Sequence, residues 1–418
     1  MKVLHLNTSY GGTGSGKGVA WLHEALKEAG VESNVLVPGQ KAVNETILKT
    51  PSNLSQKWNR LLYKIDKLPL KFYRNKVSHP SFSPGWISRN IQQEIDRINP
   101  DLINLHWVCG GFVKPEQIAS WNKPLVWTLR DMWAFTGGCH YDRNCNKYQK
   151  SCGACPILGS HNDNDISKQL WQRKAKSWQG INLTLIVISN WLADCARKSS
   201  LFKDSRIEIV HNAVDASKFK PLPKNQVREL LGLDLTHNLV LFGALNATGD
   251  PRKGFQYITP ALQHLAKSSL ARNTELVVFG SSEPENAPDI GMKATYLGTV
   301  NDETKLAQIY AAADVTLVPS VQEAFGKVAI ESLACGTPVV SFDSTGLTDI
   351  IEHQKNGYRA NCFSSEDLAR GILWVLEDED RWQKLSHRAR QKVEEEFTLP
   401  IQAAAYIKIY EDILQKST

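Results

Sequence analysis

VPSVQEAFGKVAIESLACGTPVVSF, residues 318–342, contains the clearest evidence for the fold that we predict for this chain. It reads as the end of a buried strand, a loop carrying Glu323, a helix that begins around Gly326, and a second buried strand. A helix N-terminus presents backbone N–H groups and the positive end of the helix dipole, which suit a diphosphate. A carboxylate only accepts hydrogen bonds, so Glu323 and Glu331 match sugar hydroxyls on either side of such a diphosphate. A solvated loop acid and a surface helix acid would show the same spacing.

Short apolar strands and helical stretches alternate on both sides of this stretch. The helical patterns lie over Ala20–Ala29, Ile87–Arg97, Gln256–Lys267 and Glu303–Ala312. Such alternation is typical of an α/β protein whose parallel sheets are covered by helices on both faces. The predicted strands are Lys2–Leu6, Ser33–Val37, Leu102–Leu105, Leu125–Leu129, Thr184–Ile188, Ile207–Val210, Leu239–Phe242, Glu275–Phe279, Val315–Val318 and Val339–Phe342.

The alternation pauses at Asp215–Gln226, a stretch with two prolines and few apolar side chains. We therefore predict two domains of similar size, residues 1–215 and 216–398. Leu399–Gln415 reads as a helix with no strand after it, so residues 399–418 form a separate C-terminal helix. A chain of 418 residues is long enough to bury two such cores.

The net charge of +6 is concentrated in one segment. Residues 57–76 carry seven lysines and arginines against Asp66, and 7 − 1 = +6 accounts for the whole excess. A nucleic-acid-binding protein usually has a broader basic surface, so we expect no nucleic-acid partner. Within residues 57–68, apolar and basic side chains alternate at helical spacing, which predicts an amphipathic basic helix ending near Pro69. Such a helix either docks on an anionic membrane surface or packs its apolar stripe on the domain.

No apolar run approaches the length that a membrane-spanning helix needs, and the apolar N-terminal stretch leads straight into a glycine loop. We therefore expect a cytoplasmic protein. If the basic helix docks, the protein is peripheral on the inner face of the cytoplasmic membrane.

Four cysteines fall close together as C-x5-C-x6-C-x2-C. Cytosolic cysteines stay reduced, so a cluster favours a metal over disulfides. Four thiolates suit a tetrahedral structural zinc ahead of an iron–sulfur cluster, with His140 as a substitute ligand. A metal-free loop or acceptor-site lid is the alternative. The cysteines are Cys139, Cys145, Cys152 and Cys155.

The motif around the two glutamates carries a family resemblance. Its frame, P-S-x-x-E-x-F-G-x-x-x-x-E-x-x-A-C-G-x-P-V, resembles the signature of glycosyltransferase family 4, whose members have the GT-B fold and retain the anomeric configuration of the donor sugar. DMWAFTGGCHY at 131–141 is most similar to enzymes that build colanic-acid-type, capsular or other surface polysaccharides. Other stretches match in order: ISNWLAD at 188–194, HNAVDASKFKP at 211–221, RKG at 252–254, FGSSE at 279–283, YLGTV at 296–300 and IYAAADVTLVPS at 309–320.

The resemblance implies two Rossmann-like domains facing a cleft, with the C-terminal helix packing back on the N-terminal domain. It assigns a UDP- or GDP-sugar donor to the C-terminal domain and a saccharide or lipid-linked acceptor to the N-terminal domain. It also implies that Glu323, a catalytic candidate, contacts donor-sugar hydroxyls and that Glu331 contacts the ribose. The backbone that meets the sugar and phosphates is that of Phe325, Gly326, Lys327 and Val328. No D-x-D motif is present, so we expect the chemistry to need no metal or other cofactor.

The cations expected at the donor phosphates depart in part from the family pattern. Relatives usually place an arginine after the first strand of the C-terminal domain and a lysine–glycine pair further on. Here Ala244 occupies the arginine's place, whereas Lys253 and Gly254 match the pair. We expect Lys253 to stabilise the departing diphosphate, with Arg252 and Lys327 as the nearest other cations in sequence.

The N-terminal loop YGGTGSGKG, residues 10–18, approaches a Walker A loop. Gly18 stands where that loop requires a magnesium-binding Ser or Thr, and the glycines do not complete a dinucleotide-binding pattern. The resemblance makes this a flexible loop beside the donor diphosphate, where Gly11 and Gly12 permit close backbone approach. A tight strand–helix turn is the alternative.

Polar residues follow two predicted strands of the N-terminal domain, at the edge that faces the ligand crevice in an open parallel sheet. His106 is either a substrate contact or a structural residue. Arg130 stands where many relatives have a histidine that meets the donor sugar. Arginine binds phosphate or an acidic acceptor but does not carry protons near neutral pH. We take Arg130 and the retained Asp131 as further catalytic candidates.

Two other function classes fit the same residues. A nucleotide-sugar epimerase or phosphorylase on this fold would release sugar without an acceptor or would depend on inorganic phosphate. A non-catalytic metal-binding or membrane scaffold would turn over no nucleotide sugar at all.

Overall fold

The computed structural model describes residues 1–12, 14–38, 45–49, 56–243 and 249–416, without the side chains of residues 49 and 56–60. The chain forms two compact units. The first unit comprises Met1–His211 with Pro400–Thr418, and the second comprises Asn212–Leu399. Within the described ranges, no helix combines the length and the hydropathy needed to cross a membrane.

The first unit is built on a seven-stranded parallel sheet with the order β3-β2-β1-β4-β5-β6-β7. Its strands are β1 (Lys2–Leu6), β2 (Glu32–Val37), β3 (Ile47–Lys49), β4 (Leu102–Leu105), β5 (Leu125–Leu129), β6 (Leu183–Val187) and β7 (Arg206–Ile209). Its helices up to the domain junction are α1 (Ser15–Glu28), α2 (Gln56–Asp66), α3 (Gln92–Ile98), α4 (Pro115–Ile118), α5 (Ile166–Ser177) and α6 (Asn190–Lys198).

The second unit is built on a six-stranded parallel sheet with the order β10-β9-β8-β11-β12-β13. Its strands are β8 (Asn238–Gly243), β9 (Thr274–Phe279), β10 (Ala294–Tyr296), β11 (Val315–Val318), β12 (Val339–Phe342) and β13 (Gly357–Ala360). Its helices are α7 (Lys224–Leu231), α8 (Phe255–Leu265), α9 (Glu303–Ala312), α10 (Lys327–Ala334), α11 (Ser365–Leu376) and α12 (Glu379–Glu396), and the chain ends with α13 (Leu399–Gln415).

Both sheets reverse their strand order beside the first strand of the unit, between β1 and β4 and between β8 and β11. In an open parallel sheet the ligand crevice lies at such a reversal, outside the carboxyl ends of the strands. The strands can lie in the middle of these sheets because they are apolar along most of their length; β5, LVWTL, is buried at every position. The predicted α/β fold with two Rossmann-like domains is confirmed.

Helices α6 and α9 begin at residues whose side chains cap the helix. Ser189 caps α6 by accepting a hydrogen bond from the Leu192 N–H, and Asp302 caps α9 through the Lys305 N–H. The predicted helix over Ile87–Arg97 is wrong in its first turn, because α3 begins only at Gln92. The Asp66 carboxylate accepts the Ile87 N–H and holds that segment outside the helix.

The last helix belongs to the first unit, although it follows the second in sequence. Tyr406 and Tyr410 of α13 are fully buried. The Tyr410 hydroxyl accepts a hydrogen bond from the Asn104 amide in β4, and the Tyr406 hydroxyl bonds with the Thr128 hydroxyl in β5. These polar contacts fix α13 against the centre of the first sheet.

Candidate functional site

Lys253 and Glu323 form an ion pair in the second unit, although 70 residues separate them in sequence. The Lys253 ammonium lies 2.6 Å from Glu323 Oε2, with side chains 22% and 14% exposed. Lys253 ends a short 3-10 helix that precedes α8, and Glu323 lies in the loop between β11 and α10. The Val321 N–H donates to the Arg252 carbonyl at 2.8 Å, so the two loops are also joined through their backbones. The fold thus brings the predicted phosphate-binding lysine to the predicted sugar-binding carboxylate.

Gly254 permits this close approach of the two loops. It has a φ of +78°, and a Cβ added there would lie 1.8 Å from the Pro319 carbonyl oxygen. No side chain fits in that space, and the left-handed backbone also favours glycine. The glycine of the lysine–glycine pair therefore acts by letting the Lys253 loop lie directly on the end of β11.

Helix α10 begins at Lys327, directly after Gly326. Gly326 has a φ of +121°, and a Cβ there would lie 2.5 Å from the Leu347 side chain. Among the described residues, no side chain caps this helix start. The predicted helix start is therefore present at the end of the loop that carries Glu323, and it is the positive end of the helix dipole.

Glu331 lies inside α10 and is only 4% exposed. Its Oε2 accepts a hydrogen bond from the Tyr310 hydroxyl at 3.0 Å, and Lys327 lies 3.9 Å from its Oε1. Burial and the neighbouring Glu331 carboxylate raise the pKa of Tyr310 well above its ordinary value, so Tyr310 remains a donor. The role of Tyr310 could not be predicted from the sequence, because nothing in α9 marks which of its residues contacts a carboxylate. The ribose contact of Glu331 stays a prediction.

Arg252 already forms an ion pair with the Asp250 carboxylate. Its Nη2 lies 2.6 Å from Asp250 Oδ2, and its own N–H donates to Asp250 Oδ1 at 3.0 Å. Asp250 is 6% exposed, so this contact is mostly shielded from water. Lys253 and Arg252 are therefore held by different partners. Ala244, which stands in the place of the family's arginine, lies outside the described residues.

The glycine loop of the first unit closes on the start of α1. Gly11 and Gly12 both have a φ of +68°, and the Gly11 N–H donates to the Gly16 carbonyl at 3.1 Å. A Cβ at Gly18 would lie 2.7 Å from Nη1 of Arg130, so the Arg130 guanidinium packs directly on the first turn of α1. Lys17 lies over the Trp21 ring, 4.5 Å from its centroid.

Asp131 belongs to a hydrogen-bonded chain of side chains that the sequence did not reveal. Asp131 Oδ2 lies 2.7 Å from His140 Nδ1, and His140 Nε2 lies 2.8 Å from the Ser83 hydroxyl. Asp131 Oδ1 accepts the Trp133 N–H at 2.8 Å. His140 and Ser83 are almost fully buried, whereas the Asp131 side chain is 18% exposed. These hydrogen bonds fix the orientation of the Asp131 carboxylate beyond the carboxyl end of β5.

His106 lies in the core of the first unit, where its Nε2 is 3.0 Å from His5 Nδ1. Burial lowers the pKa of His5 to about 3, with further lowering from the neighbouring His23 and Arg130. Burial also lowers the pKa of His106 well below its ordinary value. Both rings are therefore neutral near pH 7, and the structure supports the structural interpretation of His106.

The four clustered cysteines share one region of the first unit. Cys139 and Cys155 are buried in one apolar cluster, and Cys145 and Cys152 are partly exposed. Burial raises the pKa of Cys139 well above its ordinary value, and the other three thiols raise it further. Over the described ranges, no three or more His, Cys, Asp or Glu side chains are arranged to hold a metal ion. The structural zinc stays a prediction that rests on the cysteine spacing.

Two family models match the chain, one in each unit. The model for Glycosyltransferase Family 4 matches residues 12–218, and that for Glycosyl transferases group 1 matches residues 234–392. A D-inositol 3-phosphate glycosyltransferase of Thermobispora bispora is 26% identical over 80% of this chain and 76% of its own length. An uncharacterized glycosyltransferase of Methanocaldococcus jannaschii is 28% identical over 50% of this chain, and the match spans about half of that relative, 54%.

Solved structures share the whole fold. Sucrose-phosphate synthase from Thermosynechococcus elongatus superposes with a TM-score of 0.70 and 19% identity over 100% of both chains. HepE of Anabaena, solved with UDP and glucose, superposes with a TM-score of 0.61 and 16% identity over 98% of this chain and 99% of its own. The chain is therefore a glycosyltransferase of the GT-B fold, in which a Glycosyltransferase Family 4 domain precedes a Glycosyl transferases group 1 domain.

Proposed function

We propose that this protein is a retaining glycosyltransferase that moves a sugar from a UDP- or GDP-sugar to a saccharide or lipid-linked acceptor in surface polysaccharide synthesis, at the inner face of the cytoplasmic membrane. The observation that carries the proposal is the Lys253–Glu323 pair beside the start of α10. It joins a cation, a carboxylate and a helix N-terminus at the carboxyl edge of one parallel sheet. These are the groups that a diphosphate and a sugar need together.

Each member of this site has a separate role in the proposed transfer. The nucleotide leaves with increased negative charge on its terminal phosphate, and the Lys253 ammonium and the N–H groups at the start of α10 stabilise that charge. Glu323 accepts hydrogen bonds from the donor sugar, and Glu331 accepts them from the ribose. Before the donor binds, Lys253 and Glu323 neutralise each other. On binding, phosphate replaces Glu323 at the ammonium, and sugar hydroxyls replace Lys253 at the carboxylate.

In the first unit we assign acceptor recognition to the edge that carries Arg130 and Asp131. The guanidinium offers charge and directed N–H donors to an acidic acceptor. The Asp131 carboxylate, held by His140 and the Trp133 N–H, offers an oriented acceptor to a hydroxyl. Gly11 and Gly12, with their left-handed backbones, leave room for a ligand to approach the neighbouring loop.

The similar proteins support a nucleotide-sugar donor. They also add a second class of acceptor to the one proposed above. HepE was solved with UDP and glucose, which supports a UDP-sugar ahead of a GDP-sugar for this chain. The Thermobispora relative is named for transfer to D-inositol 3-phosphate. A phosphorylated polyol is therefore the second acceptor class, beside the saccharide or lipid-linked acceptor.

Thermal unfolding with a panel of UDP- and GDP-sugars tests the donor. A ligand at about 100 times its Kd stabilises the native state by about 2.7 kcal/mol, which raises the melting temperature measurably. Turnover of the stabilising sugar, followed with and without acceptor and with inorganic phosphate, then separates transfer from epimerisation and phosphorolysis. A retained anomeric configuration in the product is expected. Lack of stabilisation and turnover with the whole panel would contradict the proposal.

Substitution of the two glutamates tests the site. We expect Glu323→Gln to remove nearly all transfer and Glu331→Gln mainly to weaken donor binding, by roughly ten- to hundredfold. Losing a hydrogen bond to a charged group costs about 1.5–3 kcal/mol, which corresponds to that range. Glu366→Gln, at an exposed position of α11, is the matched control. Wild-type turnover by Glu323→Gln with the true donor would show that the site assignment is wrong.

A further inference from the structure

An open groove of about 570 Å³ lies on the first unit, beside the C-terminal end of α2. Its apolar lining, called the floor below, combines the exposed Leu68 with the buried Leu70, Phe82, Ile157 and Leu158. Its rim is basic and carries Lys64, Lys67, Lys71 and Lys76. Among the described residues, none of these four lysines forms an ion pair with a carboxylate. The groove therefore combines a hydrocarbon surface with concentrated positive charge.

Large apolar side chains project into solvent along the same segment. Leu61 is 41% exposed, Leu68 is 45% exposed and Phe72 is 86% exposed. The sequence left open whether the apolar stripe of this helix packs on the domain. These exposures show that Leu61 and Leu68 are only partly used in packing. A cluster of exposed apolar residues bounded by charge is typical of an interaction surface.

The segment is nevertheless held firmly in place. The Asp66 carboxylate, 1% exposed, accepts the N–H groups of Trp86 and Ile87 at 2.8 and 3.1 Å. The Tyr73 hydroxyl accepts the Ile166 N–H at 3.0 Å. Phe72 is thus exposed between two anchored positions, and its exposure is a feature of the folded surface.

We propose that this groove binds a membrane lipid with a phosphate headgroup, with the hydrocarbon chain along the apolar floor and the phosphate among the four lysines. The inference rests on the proposed function and names its acceptor class, a sugar carried on a lipid phosphate. Charge complementarity selects an anionic headgroup, and the apolar floor selects a long chain. A free polyol phosphate would contact the lysines but would leave the exposed Leu68 uncovered.

Binding of a monomeric amphiphile tests the groove without vesicles. Dodecyl phosphate below its micelle concentration, inorganic phosphate, inositol phosphate and dodecyl maltoside are titrated against the full chain by calorimetry. We expect dodecyl phosphate to bind at least about tenfold more tightly than each of the other three. Ser78→Trp places a bulky side chain at the groove wall and should weaken binding of dodecyl phosphate about tenfold. Equal or tighter binding of inositol phosphate would overturn the proposal, as would unchanged binding by Ser78→Trp.

Sedimentation with vesicles tests the same surface against a membrane. The triple variant Lys64→Ala, Lys67→Ala, Lys71→Ala should partition about a hundredfold less onto phosphatidylcholine vesicles containing phosphatidylglycerol, since each basic residue near such a surface contributes about fivefold. The control triple Lys176→Ala, Lys198→Ala, Lys203→Ala removes the same charge from other positions and should partition normally. Equal partitioning of the two triples would overturn the proposal.

Donor binding is measured on the same samples, so that the two proposals fail separately. If the chain turns over a nucleotide sugar but does not bind dodecyl phosphate, the groove assignment is wrong and the proposed function stands. If it binds the lipid phosphate but no nucleotide sugar, the proposed function is wrong. The melting temperature of each variant, within about 2 °C of wild type, shows that the substitutions leave the fold intact.

Discussion

At the scale of single residues, two neighbouring cations in the second unit have different partners. Lys253 contacts Glu323, and Arg252 contacts Asp250. We expect Lys253→Ala to lower turnover about a hundredfold or more at saturating donor, because it removes a charge aimed at the departing phosphate. Arg252→Ala should have a milder effect, since Arg252 supports the loop through Asp250. Both variants are measured at saturating donor with the same acceptor.

The comparison of these two variants contains its own control, because each removes one positive charge within the same short helix. If Lys253→Ala turns over normally and Arg252→Ala fails, the phosphate assignment belongs to Arg252. A loss of donor affinity with unchanged turnover would make Lys253 a ground-state binding residue only.

Three buried histidines of the first unit make its stability depend on pH. Burial lowers the pKa of His5 to about 3, of His23 to about 4, and of His106 well below its ordinary value. Because the folded-state pKa values lie below those of the unfolded chain, the unfolded state binds more protons below about pH 6.5. The contribution of these histidines to the free energy of unfolding is therefore fully present above that pH and is lost as the pH drops toward 3.

Chemical unfolding of His5→Gln and wild type between pH 4.5 and 7.5 checks this sign. The free energy of unfolding of the variant should depend less steeply on pH, by up to about 1.4 kcal/mol per pH unit. His387→Gln, at an exposed position of α12, should show the same pH dependence of the free energy of unfolding as wild type. If the free energy of unfolding of His5→Gln depended on pH as steeply as that of wild type, His5 would not be a buried neutral ring in the folded protein.

At the scale of elements, glycines decide how closely loops approach one another. Gly254 and Gly232 both have a left-handed backbone, with φ of +78° and +65°. A Cβ at Gly254 would overlap the Pro319 carbonyl, whereas a Cβ at Gly232 would meet nothing within 4 Å. We expect Gly232→Ala to cost about 1 kcal/mol of stability. Gly254→Ala should cost more than about 2 kcal/mol and should also reduce donor stabilisation, because it separates the Lys253 loop from β11.

Denaturant unfolding and donor-induced stabilisation of the two alanine variants measure this difference. The two substitutions share the same strain of a left-handed residue, so the excess cost at Gly254 reports the close approach alone. Equal costs, with equal donor stabilisation, would show that the two loops can move apart without consequence.

Elements also differ in how well the sequence predicts them. Every predicted strand is present, shifted by no more than one residue at either end. The strands that we did not predict are β3, β10 and β13, and each lies at the edge of its sheet. An edge strand is paired on one side only, so it can be short and need not be apolar throughout. ILK, ATY and GYRA lack the apolar run that marks a central strand.

At the scale of the whole molecule, the C-terminal helix completes the first unit. Removing residues 400–418 would expose apolar surface beneath α13 and leave Asn104 and Thr128 without Tyr410 and Tyr406. We expect this truncation to destabilise the first unit by several kcal/mol, because buried polar groups lose their partners together with the packing. Hydrogen exchange resolved along the chain should show faster exchange in β4 and β5, with β8 and β11 unchanged. Equal protection in β4 and β5 would contradict this role of the helix.

The central strands, helix α9 with its Asp302 cap and the strand–loop–helix–strand order of residues 318–342 could be predicted without a structure, because each depends on residues close together in the chain. Which side chains meet depends on how the strands and loops pack in three dimensions. The Lys253–Glu323 pair, the contact of Arg252 with Asp250 in place of a free cation, and the Asp131–His140–Ser83 chain depend on how the loops return to the strand ends. The exposure of Phe72 likewise depends on which surfaces the rest of the unit covers, and it cannot be predicted from the residues next to Phe72 in the sequence.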